Sequence, residues 1–246
     1  MAPYKFIVAY EGTDFQGFQR QNNGPTIQKV IEDALKNLGW QERTIKFAGR
    51  TDVGTHAAGQ VISFSLDWKH SVESLKNAIN ALLPSTIVMR EGYCVHSDFH
   101  PRYDAKYRTY QYQIYCDSED DPLLERFAWR VWPKPNNDLL NETAEMIIGT
   151  YDFKLFGRPV KEDGSTERKV SESVWISNEQ EKKMVYQISA DAFLYHMVRR
   201  IVYIIVRIGQ MKIHIEALIE ALQGKNNNLL PGIAPAKGLT LKKVEY

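Results

Sequence analysis

The stretch Ala192 to Ile208 is the most apolar in the chain, yet His196, Arg199, Arg200 and Arg207 interrupt it. A simple bilayer span does not carry so many cations, so the segment has to find its apolar neighbours inside a protein core. Wound as a helix from Asp191 to Gly209, at about 100° per residue, it gathers His196, Arg199, Arg200, Tyr203 and Arg207 into one stripe. Phe193, Met197, Ile201, Ile204, Ile205 and Ile208, with Val198, Val202 and Val206, cover most of the remaining girth. The expected element is a largely buried helix with a narrow basic strip. Three arginines on so narrow a strip repel one another unless negative charge is near, and a carboxylate such as Asp52, or RNA phosphate, would supply it.

The rest of the chain provides enough material for that core. It has 246 residues, 43% hydrophobic and 25% charged, which excludes a disordered, collagen-like or disulfide-scaffold chain. Lys5 to Tyr10 alternates as a strand, and Thr26 opens a helix whose apolar residues Ile27, Val30, Ile31, Ala34, Leu35 and Leu38 keep helical spacing before Gly39. Ile45 to Ala48 and Gln60 to Leu66 read as strands, Ser71 to Leu83 as a helix stopped by Pro84, and Thr86 to Val95 as a strand. The second half begins with a strand at Lys106 to Cys116 and a helix near Leu139 to Ile148, ended by Gly149. Strands follow around Val170 to Ile176 and Met184 to Ala190, then the arginine helix, a helix at Ile215 to Leu222 and a last strand, Leu239 to Glu245. The fold class is therefore α+β, with mixed α and β elements in two related domains, residues 1–104 and 105–246. The relation rests on element order, since no sequence repeat is visible.

Charge is unevenly spread. The net value of +1, from 31 basic and 30 acidic residues, argues by itself against an extended polyanion as partner. From Asp191 onward, however, eight basic and four acidic residues give +4 and leave −3 to the remainder. The acidic cluster Asp117, Glu119, Asp120, Asp121 and Glu125 reads as a solvated loop. Two cysteines, Cys94 and Cys116, with no CxxC pair and a strand-like start in place of a secretory leader, lead us to expect a reducing cytoplasm and no membrane anchor.

Chemistry concentrates in three places. Gly49-Arg50-Thr51-Asp52-Val53-Gly54-Thr55-His56-Ala57 sets two glycines, two hydroxyls, an arginine, an aspartate and a histidine between two strands. Asp52 could serve there as nucleophile, general base or metal ligand, or the loop could be an Asx-type turn. No GxxxxGK[ST] occurs, which excludes a phosphate loop. His96, Asp98 and His100 lie beside a proline as HSDFH, lack the HExxH helix of zinc proteases, and read as structural, so no metal is expected. In the strand Lys106 to Tyr112, period-two alternation puts Arg108, Tyr110 and Tyr112 on one face. Cations interleaved with rings suit nucleic acid, and tyrosines equally suit a half-buried sheet. The third place is the basic strip of the arginine helix.

Taken together, FAGRTDVGTHAAGQV, FHPRYDAKYRTYQY, YDFKLFG, DAFLYHMVRRIV and APAKGLTLKKVEY resemble the successive signatures of the tRNA pseudouridine synthase A family, as do the opening YEGTDFQGFQRQ and the TIQKVIEDAL helix. The resemblance spans essentially the whole chain, with GRTD its most specific element. It implies a mainly antiparallel mixed sheet flanked by helices, with an active-site cleft between the two domains. The implied activity is isomerisation of uridines at tRNA positions 38, 39 and 40 in the anticodon stem-loop, by a homodimer, with tRNA as partner and neither metal nor small-molecule cofactor.

By motif position Asp52 is the catalytic nucleophile, Tyr110 the ring stacking on the target uracil and taking part in proton transfer, and Arg199 the basic partner of the aspartate. Arg50 helps extrude the base and Leu241 packs in the pocket. Arg108, Arg200 and Arg207 are further candidates for RNA contact. The target nucleotide must leave its stack, at a cost of a few kcal/mol that phosphate contacts and stacking offset. Val53 and Thr55 stand where the family commonly has alanine and valine, Arg200 where it often has asparagine, and Tyr203 where it often has glycine. Three other readings remain at this stage: an inert RNA-binding module, a synthase of the same family with a shifted RNA site, and an Asp/His metal-dependent hydrolase. The last would need a ligand cluster that the sequence does not display.

Overall fold

A computed structural model describes residues 1–22, 24–159, 163–177, 182–225 and 232–246. In chain order its elements are β1 (Ala2–Tyr10), α1 (Ile27–Asn37), β2 (Lys46–Phe47), β3 (His56–Leu66), α2 (Val72–Asn80), β4 (Ile87–Cys94), β5 (Tyr107–Tyr115), β6 (Trp129–Arg130), α3 (Asn137–Glu145), β7 (Gly149–Asp152), β8 (Glu167–Ser177), β9 (Lys183–Ala190), α4 (Met197–Gly209), α5 (Ile215–Leu222) and β10 (Leu239–Glu245). The fold is mixed α and β, as the element pattern implies, and its strands are mostly antiparallel, as the resemblance implies. The chain forms two compact units, residues 1–106 with 240–246, and residues 107–239.

In the first unit the strand order is β4-β1-β3-β10, with β2 on β3. β1 lies antiparallel to both β3 and β4, while β10 runs parallel to β3, Thr240 opposite His56 and Leu241 opposite Ala57. Alternation along β1 sends Tyr4, Phe6 and Val8 into the core, and the Phe6 and Phe64 rings stack at 5.6 Å. Thr26 caps α1 by accepting from the Lys29 N–H, as its position before the apolar spacing suggested. The buried face of α1 also carries Glu32, only 1% exposed. Its carboxylate is satisfied by Arg20 at 2.9 Å, Gln28 at 2.8 Å, Thr44 at 3.1 Å and the Ile45 N–H at 3.1 Å. A buried carboxylate needs such company.

In the second unit β5, β9, β8 and β7 pair antiparallel in that order, and β6 lies parallel on β5. α3 packs on α4 and β8. The arginine helix is shorter than the apolar run: it begins at Met197, not Asp191, and His196 precedes it in the left-handed region at φ 69°. Residues 191–195 spend their backbone groups elsewhere. The Asp191 N–H donates to the Lys169 carbonyl, the Ala192 N–H to the Asp191 carboxylate at 2.6 Å, and Tyr195 exchanges bonds with Arg158 at 2.9 and 3.3 Å. Phe193 and His196 therefore leave the helical pattern, and the strip on α4 is Arg199, Arg200, Tyr203 and Arg207. The acidic segment is likewise more than a solvated loop, since Asp117 pairs with Lys182, Asp120 with Arg130, and Glu125 with Lys237.

Candidate active site

Asp52 sits on an arch between β2 and β3 whose backbone is held from both sides. Ahead of it, the buried Gln60 amide donates to the Gly49 carbonyl at 2.8 Å. The Thr51 hydroxyl bonds that of Tyr10 at 2.8 Å, and the Thr51 carbonyl accepts from the Phe18 N–H at 3.2 Å. Beyond it, the Thr55 N–H closes a turn onto the Asp52 carbonyl at 3.1 Å, and the Gly54 N–H reaches the Phe15 carbonyl at 3.4 Å. His56 Nδ1 accepts from the Gly12 N–H at 3.0 Å.

The segment supplying most of these contacts, Tyr10 to Phe18, approaches so closely that two of its positions admit only glycine. A Cβ on Gly12 would lie 2.0 Å from the Thr55 carbonyl oxygen, and one on Gly17, at φ +82°, 2.7 Å from that of Thr51. Asp52 is half-buried on this arch, Arg50 is exposed, and Val53 beside Asp52 is 50% exposed. Leu241, 1% exposed, lies on β10 at the foot of the arch, opposite Ala57. Thr55 buries a hydroxyl that has no hydrogen-bond partner among the described residues.

The second unit holds the remaining candidates. Tyr110, on β5, is 8% exposed, with its ring edge-on to Phe193 at 5.1 Å. Arg108 donates to the Asp191 carbonyl at 2.7 Å. Arg199, on α4, donates from Nε to the Ala234 carbonyl at 2.8 Å and accepts at its own carbonyl from the Ala234 N–H at 3.1 Å. The helix and residues 232–235 are thus cross-linked at the arginine. The fully buried Tyr112 donates its hydroxyl to the next carbonyl, that of Pro235, at 2.7 Å. Burial pushes the Tyr112 phenol well above its ordinary range, with the neighbouring Arg199 guanidinium opposing, so the tyrosine acts as a permanent donor. Arg200 reaches the Leu155 carbonyl at 3.3 Å. Arg207 lies over the Tyr203 ring at 5.0 Å and the Trp129 ring at 5.9 Å, and bonds Gln210 at 2.9 Å. Carbonyls and ring faces therefore supply part of the negative potential that the crowded strip requires.

The candidates so fall into two groups, Asp52, Arg50 and Leu241 in one unit, and Tyr110, Arg199, Arg108, Arg200 and Arg207 in the other. His100 holds a local turn: its Nδ1 accepts from the Arg102 N–H at 3.2 Å and its N–H donates to Asp104 at 2.9 Å. Tyr10, Gly12, Gly17 and Tyr112 support the candidate groups without having been singled out for it. The only signal for the first three was the glycine spacing of the opening YEGTDFQGFQRQ.

The profile of the family described as tRNA pseudouridine synthase matches residues 6–104 and 143–246. The chain belongs to that family. Among its relatives, the tRNA pseudouridine synthase A of Moorella thermoacetica is 38% identical over 98% of both chains. Those of Thermodesulfovibrio yellowstonii and Acetivibrio thermocellus are 33% and 34% identical over the full length of both chains. Pseudouridine synthases are isomerases, so the arch and the arginine helix are to be read as parts of an isomerase. Among the described residues no helix is long and apolar enough to cross a membrane.

Proposed function

We propose that this protein isomerises uridine to pseudouridine in the anticodon arm of tRNA, at positions 38, 39 and 40, with Asp52 as the nucleophile. The reaction breaks the bond between uracil N1 and the ribose C1′, joins C1′ to C5, removes the C5 proton and leaves a proton on N1. Atoms and electrons balance without a co-reactant, so the reading calls for neither metal nor organic cofactor. The observation that carries it is the full-length match to tRNA pseudouridine synthases together with a half-buried aspartate on a braced arch, the setting in which a carboxylate nucleophile keeps its aim.

In this reading Tyr110 offers its ring to the extruded uracil and Arg199 supplies the cation for the aspartate. Arg50 assists extrusion, Leu241 gives an apolar wall, and Arg108, Arg200 and Arg207 contact RNA. The protein works as a homodimer in the cytoplasm, two copies joining their basic C-terminal halves because one chain of net charge +1 attracts a polyanion weakly. The test is mass spectrometry of unmodified tRNA before and after incubation with purified protein in the presence of a chelator. The expected outcome is pseudouridine on the 3′ side of the anticodon arm. Pseudouridine only elsewhere, or only with added metal, overturns the reading. Light scattering of the active sample checks the dimer, and monomers alone would refute it.

A further inference from the structure

We propose that Tyr10 is a positioning residue for Asp52, acting through the hydroxyl of Thr51. The inference rests on the functional reading above and adds to it a specific atom that controls the aim of the carboxylate.

Tyr10 is the last residue of β1, in the middle of the sheet of its unit, paired with Ala57 on one side and Ile87 on the other. Its ring is 4% exposed and leans on Phe18 at 6.0 Å, which in turn meets Phe47 at 4.7 Å. The backbone of Tyr10 is thus held by a strand on each side, just past a register shift after Val8, and its ring by the aromatic core. Its hydroxyl meets that of Thr51, the residue immediately before Asp52, at 2.8 Å. Thr51 is itself 7% exposed, so each of the two buried hydroxyls would lose a partner if the other were removed.

The bond matters more than its energy because of what else grips the same peptide. The Thr51 carbonyl is held by the Phe18 N–H at 3.2 Å, and Gly17 packs its Cα against that oxygen. With the carbonyl pinned on one side and the side chain on the other, the dihedral angles entering Asp52 have little freedom. Gln60, inside β3, holds the arch at the Gly49 carbonyl, three residues ahead of Asp52. The Tyr10 bond ties the residue before Asp52 to the end of a central strand. A nucleophile displaced by about 1 Å can lose on the order of 10²-fold in rate, so a reference point on a rigid strand is a chemical asset as well as a structural one.

The experiment compares wild type, Tyr10→Phe, Thr51→Val, the double variant and Thr51→Ser by single-turnover rate at saturating tRNA, by tRNA affinity and by Tm. Each single variant is expected to react about tenfold more slowly, with affinity within about twofold of wild type, at temperatures well below its Tm. The double variant should be no slower than either single one, because both remove the same bond, and Thr51→Ser should recover most of the loss of Thr51→Val. Merely structural hydroxyls would lower Tm and leave the single-turnover rate unchanged; that outcome overturns the proposal, as do losses that multiply in the double variant or fall on affinity alone. A wild type that forms no pseudouridine overturns the functional reading itself, whereas an active wild type with Tyr10→Phe at full rate overturns this inference alone.

Discussion

The Asp52 arch and the Arg199 helix solve the same problem, the rigid presentation of one charged side chain, by opposite means. The arch is irregular and its shape is set largely by backbone meeting backbone, with a few side-chain bonds added: Gly12 lies against the Thr55 carbonyl, Gly17 against that of Thr51, and main-chain bonds join residues 15 and 18 to residues 54 and 51. The arginine stands on a regular, mostly buried helix, and beside one main-chain bond, from the Ala234 N–H to the Arg199 carbonyl, it is chiefly side chains that lock residues 232–238 there. Arg199 grips Ala234, Tyr112 grips Pro235, the Tyr203 ring lies under Gly232 and the Tyr112 ring under Gly238. A loop lacks a repeating hydrogen-bond pattern and must borrow rigidity from glycine-close contact, whereas a helix already has it and needs only its surroundings fixed. The first arrangement should tolerate no change of backbone shape, and the second should tolerate compensated changes of side chain.

The largest effect should come from the proposed nucleophile. Asp52→Ala is expected to reduce pseudouridine formation below about one thousandth of wild type while tRNA affinity and Tm stay near wild type, because the arch is held by its backbone rather than by this side chain. Appreciable turnover would remove Asp52 from the mechanism, and a collapsed Tm would show that the carboxylate itself braces the arch.

Glycine substitutions separate the two kinds of lock. Gly12→Ala should cost more than about 3 kcal/mol in denaturant unfolding, with no single side-chain truncation restoring it, since the clash is with a carbonyl. Gly232→Ala should cost about 1 to 3 kcal/mol, and adding Tyr203→Ala should remove most of the clash, giving a strongly non-additive pair. Equal, additive behaviour at both sites would erase the distinction between the arch and the helix.

Arg199→Lys retains the charge and loses the Nε donor that holds Ala234. Turnover is expected to fall about 10- to 100-fold, with about 1 kcal/mol of stability lost with the Ala234 bond; wild-type rates would mean that only charge matters there. Thr55→Val, an isosteric change that deletes a buried unpartnered hydroxyl, should raise stability by about 1 kcal/mol, read as a higher Tm. A lower Tm would show that the hydroxyl is satisfied.

The smallest effect concerns pH. Hydrogen bonds from Lys237 and then Tyr115 hold the Glu125 carboxyl below its usual range. A depressed folded value means that the stabilisation is present above the unfolded carboxylate value and is lost as pH falls through that range toward the folded value. Glu125→Gln should therefore flatten the acid side of a Tm-against-pH curve and change little at neutral pH, and an unchanged acid slope would show that Lys237 and Glu125 are uncoupled.

Some of this was legible from residue patterns. The bounds of α5, Ile215–Leu222, and β10, Leu239–Glu245, coincide with apolar spacing that stops at turn-forming neighbours, and the hydroxyl of Thr26 marked the start of α1. The start of α4 was not legible, because Asp191 to Tyr195 are helix-compatible residues, but the backbone of Asp191 is claimed by Lys169 and that of Tyr195 by Arg158, both far away in sequence. Gly149, read as a helix stop, opens β7 with φ 139°, and the short β6 and β7 offer too few residues for a periodic signal. β3 begins at His56, inside what reads as loop, because pairing continues along β1 to Tyr10 opposite Ala57.

What the sequence by itself determined is the chemical inventory: an aspartate between glycines, a tyrosine on a strand, arginines on an apolar helix, and a family signature spread along the whole chain. Those are properties of residue type and spacing. What only the tertiary structure decided is which atoms hold them: that Tyr10 ends its strand at Thr51, that Gly12 lies against Thr55, that Ala234 takes the Nε of Arg199, and that β10 runs parallel beside β3. Each is a meeting of segments distant along the chain, chosen by where buried polar groups find partners and apolar faces find cover, and neither choice leaves a mark at the local spacing from which a sequence is read.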